Sequence, residues 1–196
     1  LFLGEKSCIM ADEVNHMLRT FDDIYETMPW DAVDAVVFDV GQVLLSYNPQ
    51  EILDEHVPDR PDLHPILLEK KACERAGFDT LKAEVREMTR DEAIEAMIGR
   101  DEPLRPYITR VMHNWVDLKE VLPEGLKTLQ SCKAHGKKVY VLSNYADDAF
   151  AVVEHKYDFF NLFDAKFVSG RLKLMKPSEQ IFQYVISATG HKPSRV

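Results

Sequence analysis

The sequence predicts an α/β protein: a parallel-sheet core interrupted after its first strand by a bundle of helices. Three observations carry this. Ala35-Val36-Val37-Phe38 is an unbroken apolar, β-branched run, the kind buried on both faces of a parallel sheet. Residues from about 47 to 121 are charged and helical in pattern, without a convincing strand. From Leu122 onward, helix and strand patterns alternate, as a parallel sheet with crossover helices requires.

Taken in order, residues 1–11 read as loosely organised. Val14, Met17, Leu18, Phe21, Ile24, Tyr25 and Met28 then recur at helical spacing, and Pro29 stops that helix. The first strand covers 35–40. In the insert, Thr89-Arg90-Asp91-Glu92 is a capping box for a helix that carries Ala93, Ile94, Met97 and Ile98 and stops at Gly99. A second helix buries Leu104, Ile108, Val111, Trp115 and Leu118. These apolar stripes need one another or the core, which makes the insert a small bundle. Pro123 opens the next helix, Leu126 and Leu129 form its inner face, and Gly136 ends it. Val139 to Leu142 is a buried strand ending at Ser143-Asn144. A helix with Phe150, Val153 and Tyr157 follows, then a short strand at Ala165–Val168. Ser178 opens a last helix that Gly190 ends. The organisation is an N-terminal extension and helix over 1–32, an α/β core over 33–46 and 122–196, and a helical cap over 47–121.

Composition narrows the function. Of 196 residues, 45% are hydrophobic, which suits a packed domain. No apolar run approaches the roughly 20 residues that span a bilayer, and no leader pattern stands out. A cytoplasmic protein without a membrane partner is expected. The formal charge of -9 argues against nucleic acid as a partner, and an anionic substrate would need a local cationic site. Cys8, Cys73 and Cys132 are far apart and read as reduced packing residues. The oligomeric state stays open, a homo-oligomer included.

Chemistry concentrates at three points. Asp39 ends the first strand, Ser143-Asn144 end the second, and Lys176-Pro177 precede the last helix. Ends of parallel strands gather on one edge, where ligands bind. A carboxylate after an apolar strand needs a partner or a use, although an Asp that merely caps a turn is an equal reading of that segment alone. Together, the carboxylate, hydroxyl, amides and ammonium suit a phosphoryl group. Asp39 can attack phosphorus, Ser143 and nearby amides can hold oxygens, and Lys176 can offset charge.

In these residues the chain resembles the haloacid dehalogenase (HAD) superfamily. The resemblance rests on Phe38-Asp39-Val40-Gly41-Gln42-Val43-Leu44, Val141-Leu142-Ser143-Asn144 and Lys176-Pro177-Ser178-Glu179-Gln180-Ile181-Phe182, and covers about 33–196. It implies a Rossmann-like core with an α-helical cap and a subfamily I phosphatase-like hydrolase. Asp39 would be the nucleophile and a ligand of Mg2+, with the Gly41 carbonyl as a second ligand. Ser143 and Asn144 would bind phosphate, and Lys176 would orient both Asp39 and phosphate. The substrate would be a small phosphorylated metabolite, such as a sugar phosphate.

Two departures stand against the pattern. Most phosphatases of the family carry a general-acid Asp where Gly41 stands. The family also places a pair of acids on a further strand after a helix like 178–189, and the sequence reaches Val196 where that strand would begin, so a longer natural protein is expected. The alternatives are a 2-haloacid dehalogenase, using Asp39 on carbon without metal, and a non-catalytic phospho-ligand binder. Secondary candidates have ordinary readings. Asp147 and Asp148 are first-turn acids. His113, beside Trp115, is a surface or packing histidine. Arg100, Arg105 and Arg110 are solvated cap positions, and Lys173 shares the loop of Lys176.

Overall fold

The computed structural model describes residues 28–69, 90–114, 116 and 119–196. The helix predicted from Val14, Thr89 of the capping box, Trp115, Leu118, Cys8 and Cys73 lie outside the described residues.

Three strands, β1 (Ala35–Phe38), β2 (Lys138–Ser143) and β3 (Ala165–Val168), form a parallel sheet in the order β1-β2-β3. Phe38 pairs with Val141, and Ser143 with Val168, so the carboxyl ends of the strands lie along one edge. Side chains alternate between two apolar layers, as a pleated strand dictates. Phe38, Val139 and Val141 join one layer with Leu129 and Cys132 of α4 and Phe150 and Val153 of α5. Ala35, Tyr140, Leu142 and Phe167 join the other with Ile181 and Val185 of α7. Here α4 is Pro123–Ala134, α5 is Asp147–Lys156 and α7 is Glu179–Thr189. Between β3 and α7 lies the single turn α6 (Ser169–Leu172). The core is thus a Rossmann-like sheet covered by helices on both faces.

The helix boundaries follow local chemistry. Pro123 opens α4, where its missing N–H is no loss, and Gly136 follows at φ 69. The Ser178 hydroxyl accepts from the Gln180 N–H to cap α7, and Gly190 at φ 72 ends it. The first strand is shorter than its apolar run. It ends at Phe38 rather than residue 40, because the Val40 carbonyl turns inward to accept from Leu44 N–H (2.9 Å) and Leu45 N–H (3.0 Å). Asp39 therefore stands just beyond the strand.

The insert holds α1 (Pro49–His56), a helical stretch at 64–69, α2 (Arg90–Ile98) and α3 (Arg105–Asn114). Leu53, Val57, Leu67, Ile98, Ile108 and Met112 belong to an apolar cluster of their own. The side chains of Arg105 and Arg110 keep their solvent exposure, as expected, and also hold partners. Arg105 pairs with Glu95 and Glu102, and Arg110 donates to the His56 carbonyl and Asp59, so both tie elements of the bundle together.

Two segments join insert to core side by side. Leu45 bridges Val121, the Ser46 N–H donates to the Glu120 carbonyl (2.8 Å), and the Glu120 N–H donates to Ser46 Oγ (2.9 Å). Lys119, only 7% exposed, lays its ammonium over the Tyr47 ring at 4.8 Å. Gly125 lets α4 close against this stem. A Cβ there would lie 1.8 Å from the Val43 carbonyl oxygen.

At the other end of the sheet, Asp164 accepts from the Val139 N–H (2.9 Å) and pairs with Lys138 (2.7 Å) and Lys133 (3.4 Å). Burial pushes its carboxyl up, but the bonds from Lys138, Val139 and Lys133 together outweigh that and hold it at about 2, below the ordinary 3.8. Arg195 forks onto Asp34 at 2.5 and 2.6 Å and fixes the chain beneath the start of β1. Among the described residues β1 is one of the two edges of the sheet. A groove of about 600 Å³ runs along it, lined by Val36, Val37, Phe182, Val185 and Val196, with Asp39 and Lys176 also on its wall.

Gly125→Ala should destabilise the fold by about 1–3 kcal/mol or more, because the new methyl meets backbone that cannot step aside. Urea unfolding measures this. A carboxyl depressed in the folded state stabilises the fold above its unfolded value and loses that contribution as pH falls through the folded one. Stability should therefore drop from pH 3.8 toward about 2 as Asp164 protonates. In Asp164→Asn the protein should be less stable at neutral pH and lack that part of the slope, as thermal melts across the window would show.

Candidate active site

The carboxylate of Asp39 is held from two sides. Its Oδ1 accepts from the Val40 N–H (2.7 Å) and the Ser143 hydroxyl (2.9 Å). Its Oδ2 meets the Lys176 ammonium at 2.7 Å. Ser143, the last residue of β2, is 2% exposed, whereas the Asp39 side chain keeps 42% of its surface and Lys176 keeps 23%. A carboxylate, a hydroxyl and an ammonium thus share one spot at the carboxyl edge of the sheet, open on one side. Charge-assisted bonds of this length fix a carboxylate's orientation.

Asn144 occupies a different place from Ser143. Its Oδ1 accepts from the Lys176 N–H (2.8 Å), and its Nδ2 donates to the Lys176 carbonyl (2.9 Å). The side-chain amide is engaged with the backbone of the loop that presents the ammonium.

Gly41 is exposed, and its backbone does not adopt positive φ. A Cβ there would meet nothing within 4 Å. The left-handed residue of this turn is Gln42, at φ 60. Its N–H donates to the Leu45 carbonyl (2.8 Å) and its side chain to the Tyr47 carbonyl (2.7 Å), which holds a conformation that non-glycine residues seldom take. The tight turn is therefore made by Gln42 and not by the glycine before it.

Sequence reasoning missed the residues that set the loop after β2. The Ser169 hydroxyl, fully buried, accepts from the Tyr145 N–H (2.9 Å) and donates to the Tyr145 carbonyl (3.2 Å). The Gly170 N–H donates to the same carbonyl (3.1 Å), and a Cβ at Gly170 would lie 2.6 Å from the Asp147 nitrogen. Two small residues directly after an apolar strand were the available signal.

The secondary candidates serve other partners. Asp147 pairs with Arg171 (2.6 Å), and Asp148 accepts from the Ala149 N–H (2.7 Å). His113 lies in the last turn of α3, 3.8 Å from Asp91. Lys173 is exposed at φ 56. Cys132 is buried, which pushes its thiol up and away from reactivity.

Among the described residues no cluster of three His, Cys, Asp or Glu forms a ready metal cage. The donors available are hard oxygens: the Asp39 carboxylate and the backbone carbonyl of Gly41, an exposed residue. They suit a magnesium ion that keeps most of its waters. No helix among the described residues is long and apolar enough to cross a membrane.

Comparison with known structures returns this fold. A dehalogenase superposes at a TM-score of 0.62 with 20% identity, over 83% of this chain and 74% of its own. The L-2-haloacid dehalogenase of Xanthobacter autotrophicus with chloropropionic acid covalently bound gives 0.60 and 17%, over 82% of this chain. The present chain spans 66% of that enzyme. A HAD family enzyme from Bacteroides thetaiotaomicron, an aspartate-to-alanine mutant in complex with magnesium and inorganic phosphate, gives 0.56 and 17%, over 82% and 80% of the two chains. No curated protein matches the sequence. Residues 33–196 match the family model of the haloacid dehalogenase-like hydrolases, and the chain belongs to that family.

Proposed function

We propose that this protein hydrolyses small phosphate monoesters through an aspartyl phosphate on Asp39. The observation that carries the reading is the Asp39 carboxylate set between the Ser143 hydroxyl and the Lys176 ammonium. Asp39 attacks phosphorus, the P–O bond to the leaving group breaks, and water then releases inorganic phosphate from the acyl phosphate. Lys176 offsets the charge of the phosphoryl oxygens, and Ser143 donates to one of them. Magnesium, held by Asp39 and the Gly41 carbonyl, would neutralise phosphoryl charge. The substrate is a small phosphorylated metabolite met in the cytoplasm.

A second reading has its own support. The same carboxylate can displace halide from the carbon of a 2-haloacid, and the Xanthobacter structure carries chloropropionic acid covalently bound. That reaction places no phosphoryl charge near Lys176 and needs no proton for the leaving halide.

Asp39→Asn should reduce turnover of an aryl phosphate to background, since an amide is a poor nucleophile and a weaker ligand for a hard cation. Turnover of 2-chloropropionate with none of phosphates would establish the dehalogenase. Binding of phosphate without turnover of either would identify a non-catalytic binder. With Gly41 in place of an acid, aryl phosphates should exceed alkyl phosphates by about 10²–10⁴-fold, because phenolates leave without protonation. Gly41→Asp should narrow that gap, and the open space and ordinary backbone at residue 41 make the substitution a clean test. Equal initial rates for aryl and sugar phosphates would place a general acid elsewhere.

A further inference from the structure

We infer that Asn144 is a positioning residue: it fixes Lys176, and through Lys176 the second oxygen of Asp39. The inference deepens the proposed function and rests on that reading for the role of Lys176. The geometry has three parts. The Asn144 amide makes reciprocal bonds with one residue, accepting from the Lys176 N–H at 2.8 Å and donating to the Lys176 carbonyl at 2.9 Å. Such a pair imitates one rung of a sheet and fixes the backbone in both position and orientation. The Lys176 ammonium then reaches Asp39 Oδ2 at 2.7 Å. Ser143, the preceding residue, donates to Asp39 Oδ1 at 2.9 Å. Adjacent residues at the end of β2 thus govern the two carboxylate oxygens, one directly and one through the lysine.

The alternatives to this assignment make different demands. A phosphate ligand needs its amide aimed at substrate, yet one N–H and one lone pair of Asn144 are already committed to Lys176. A purely structural tie would serve the fold equally with or without the ammonium. Lys176 sits in a loop between α6 and α7, 32 residues from Asn144, so the restraint ties the loop to a distant part of the chain. A small misplacement of a reacting or charge-offsetting group costs rate far more than it costs binding.

The test is a double-mutant cycle with Asn144→Ala, Lys176→Ala and the double variant, assayed on p-nitrophenyl phosphate and 2-chloropropionate. Asn144→Ala should lower kcat by about 10–100-fold with KM changed less than about threefold. In the Lys176→Ala background the same change should cost less than about twofold, because its effect runs through the ammonium. Equal factors in both backgrounds, or a rise confined to KM, would overturn the inference.

A second readout does not need turnover. Limited acetylation with acetic anhydride, read by peptide mass spectrometry, should label Lys176 more slowly than Lys173 of the same loop. Asn144→Ala should raise Lys176 labelling about tenfold, the scale of a lost pair of partly buried hydrogen bonds, and leave Lys173 unchanged. If neither substrate is turned over but labelling responds this way, the functional reading fails and the positioning role stands. Unchanged Lys176 labelling overturns the positioning role whatever the activity. Should Asn144→Ala fail to fold, Asn144→Asp keeps the acceptor for the Lys176 N–H and loses the donor. There, labelling raised about threefold supports the inference and unchanged labelling overturns it.

Discussion

The pair between Asp39 and Lys176 is the constraint on which the rest of this structure depends. A carboxylate open to solvent on one side is held in a fixed orientation only when a partner answers its charge on the other. Here the answer comes from a residue far along the chain, on a loop that follows a different strand. The fold must therefore deliver that loop to within a hydrogen bond of the end of β1. It does so by packing α7 on one face of the sheet through Ile181 and Val185, and by joining the loop to β2 through Asn144. Parallel topology places the strand ends on one edge, but these contacts turn a shared edge into a shared site.

Close backbone contacts supply the remaining precision. Gly125 brings the start of α4 against Val43, in the turn that leaves Asp39, and Gly170 brings α6 against the loop that leaves Asn144. At each of these two positions a methyl group would separate a site loop from its support. Interiors pack at crystalline density, so such a displacement passes along the loop rather than being absorbed. The insert leaves the core through the segment from Leu44 to Ser46, which bonds to the returning segment from Glu120 to Leu122. The geometry of Asp39 is thereby linked to that of the stem carrying the helical bundle.

Much of this was legible in the sequence because it is periodic or punctuated. The apolar runs of β1 and β2, the Ser178 cap, Pro123 and the stops at Gly136 and Gly190 all act through nearest neighbours. Asp39, Ser143 and Lys176 were legible as a set because parallel strands put their ends together. The bonds of Asn144 and Ser169, and the close approaches at Gly125 and Gly170, join residues distant in sequence and leave no period. Asn144 beside a hydroxyl reads equally well as a ligand. Gln42 left no signal either, because its left-handed backbone is held by bonds to Leu45 and Tyr47 and not by its residue type. Arg105 and Arg110 were legible as solvated positions, but their partners were not, because those lie on other elements of the insert.

The hydrogen bonds on Asp39 also bear on how it could attack. An ionised carboxylate offers about four acceptor positions. Oδ1 has two occupied, by the Val40 N–H and the Ser143 hydroxyl, while Oδ2 has one occupied, by Lys176. With the Lys176 ammonium on Oδ2, an electrophile that approaches Oδ1 requires one of its two bonds to yield. The backbone N–H of Val40 cannot move without moving the strand end. The Ser143 hydroxyl can rotate about its Cβ–Oγ bond at little cost. On the proposed reading, Ser143 therefore holds the nucleophile while the site is empty and turns to a substrate oxygen as the substrate arrives. That exchange frees the attacking lone pair only when there is something to attack, and it requires of residue 143 a hydroxyl rather than a fixed amide.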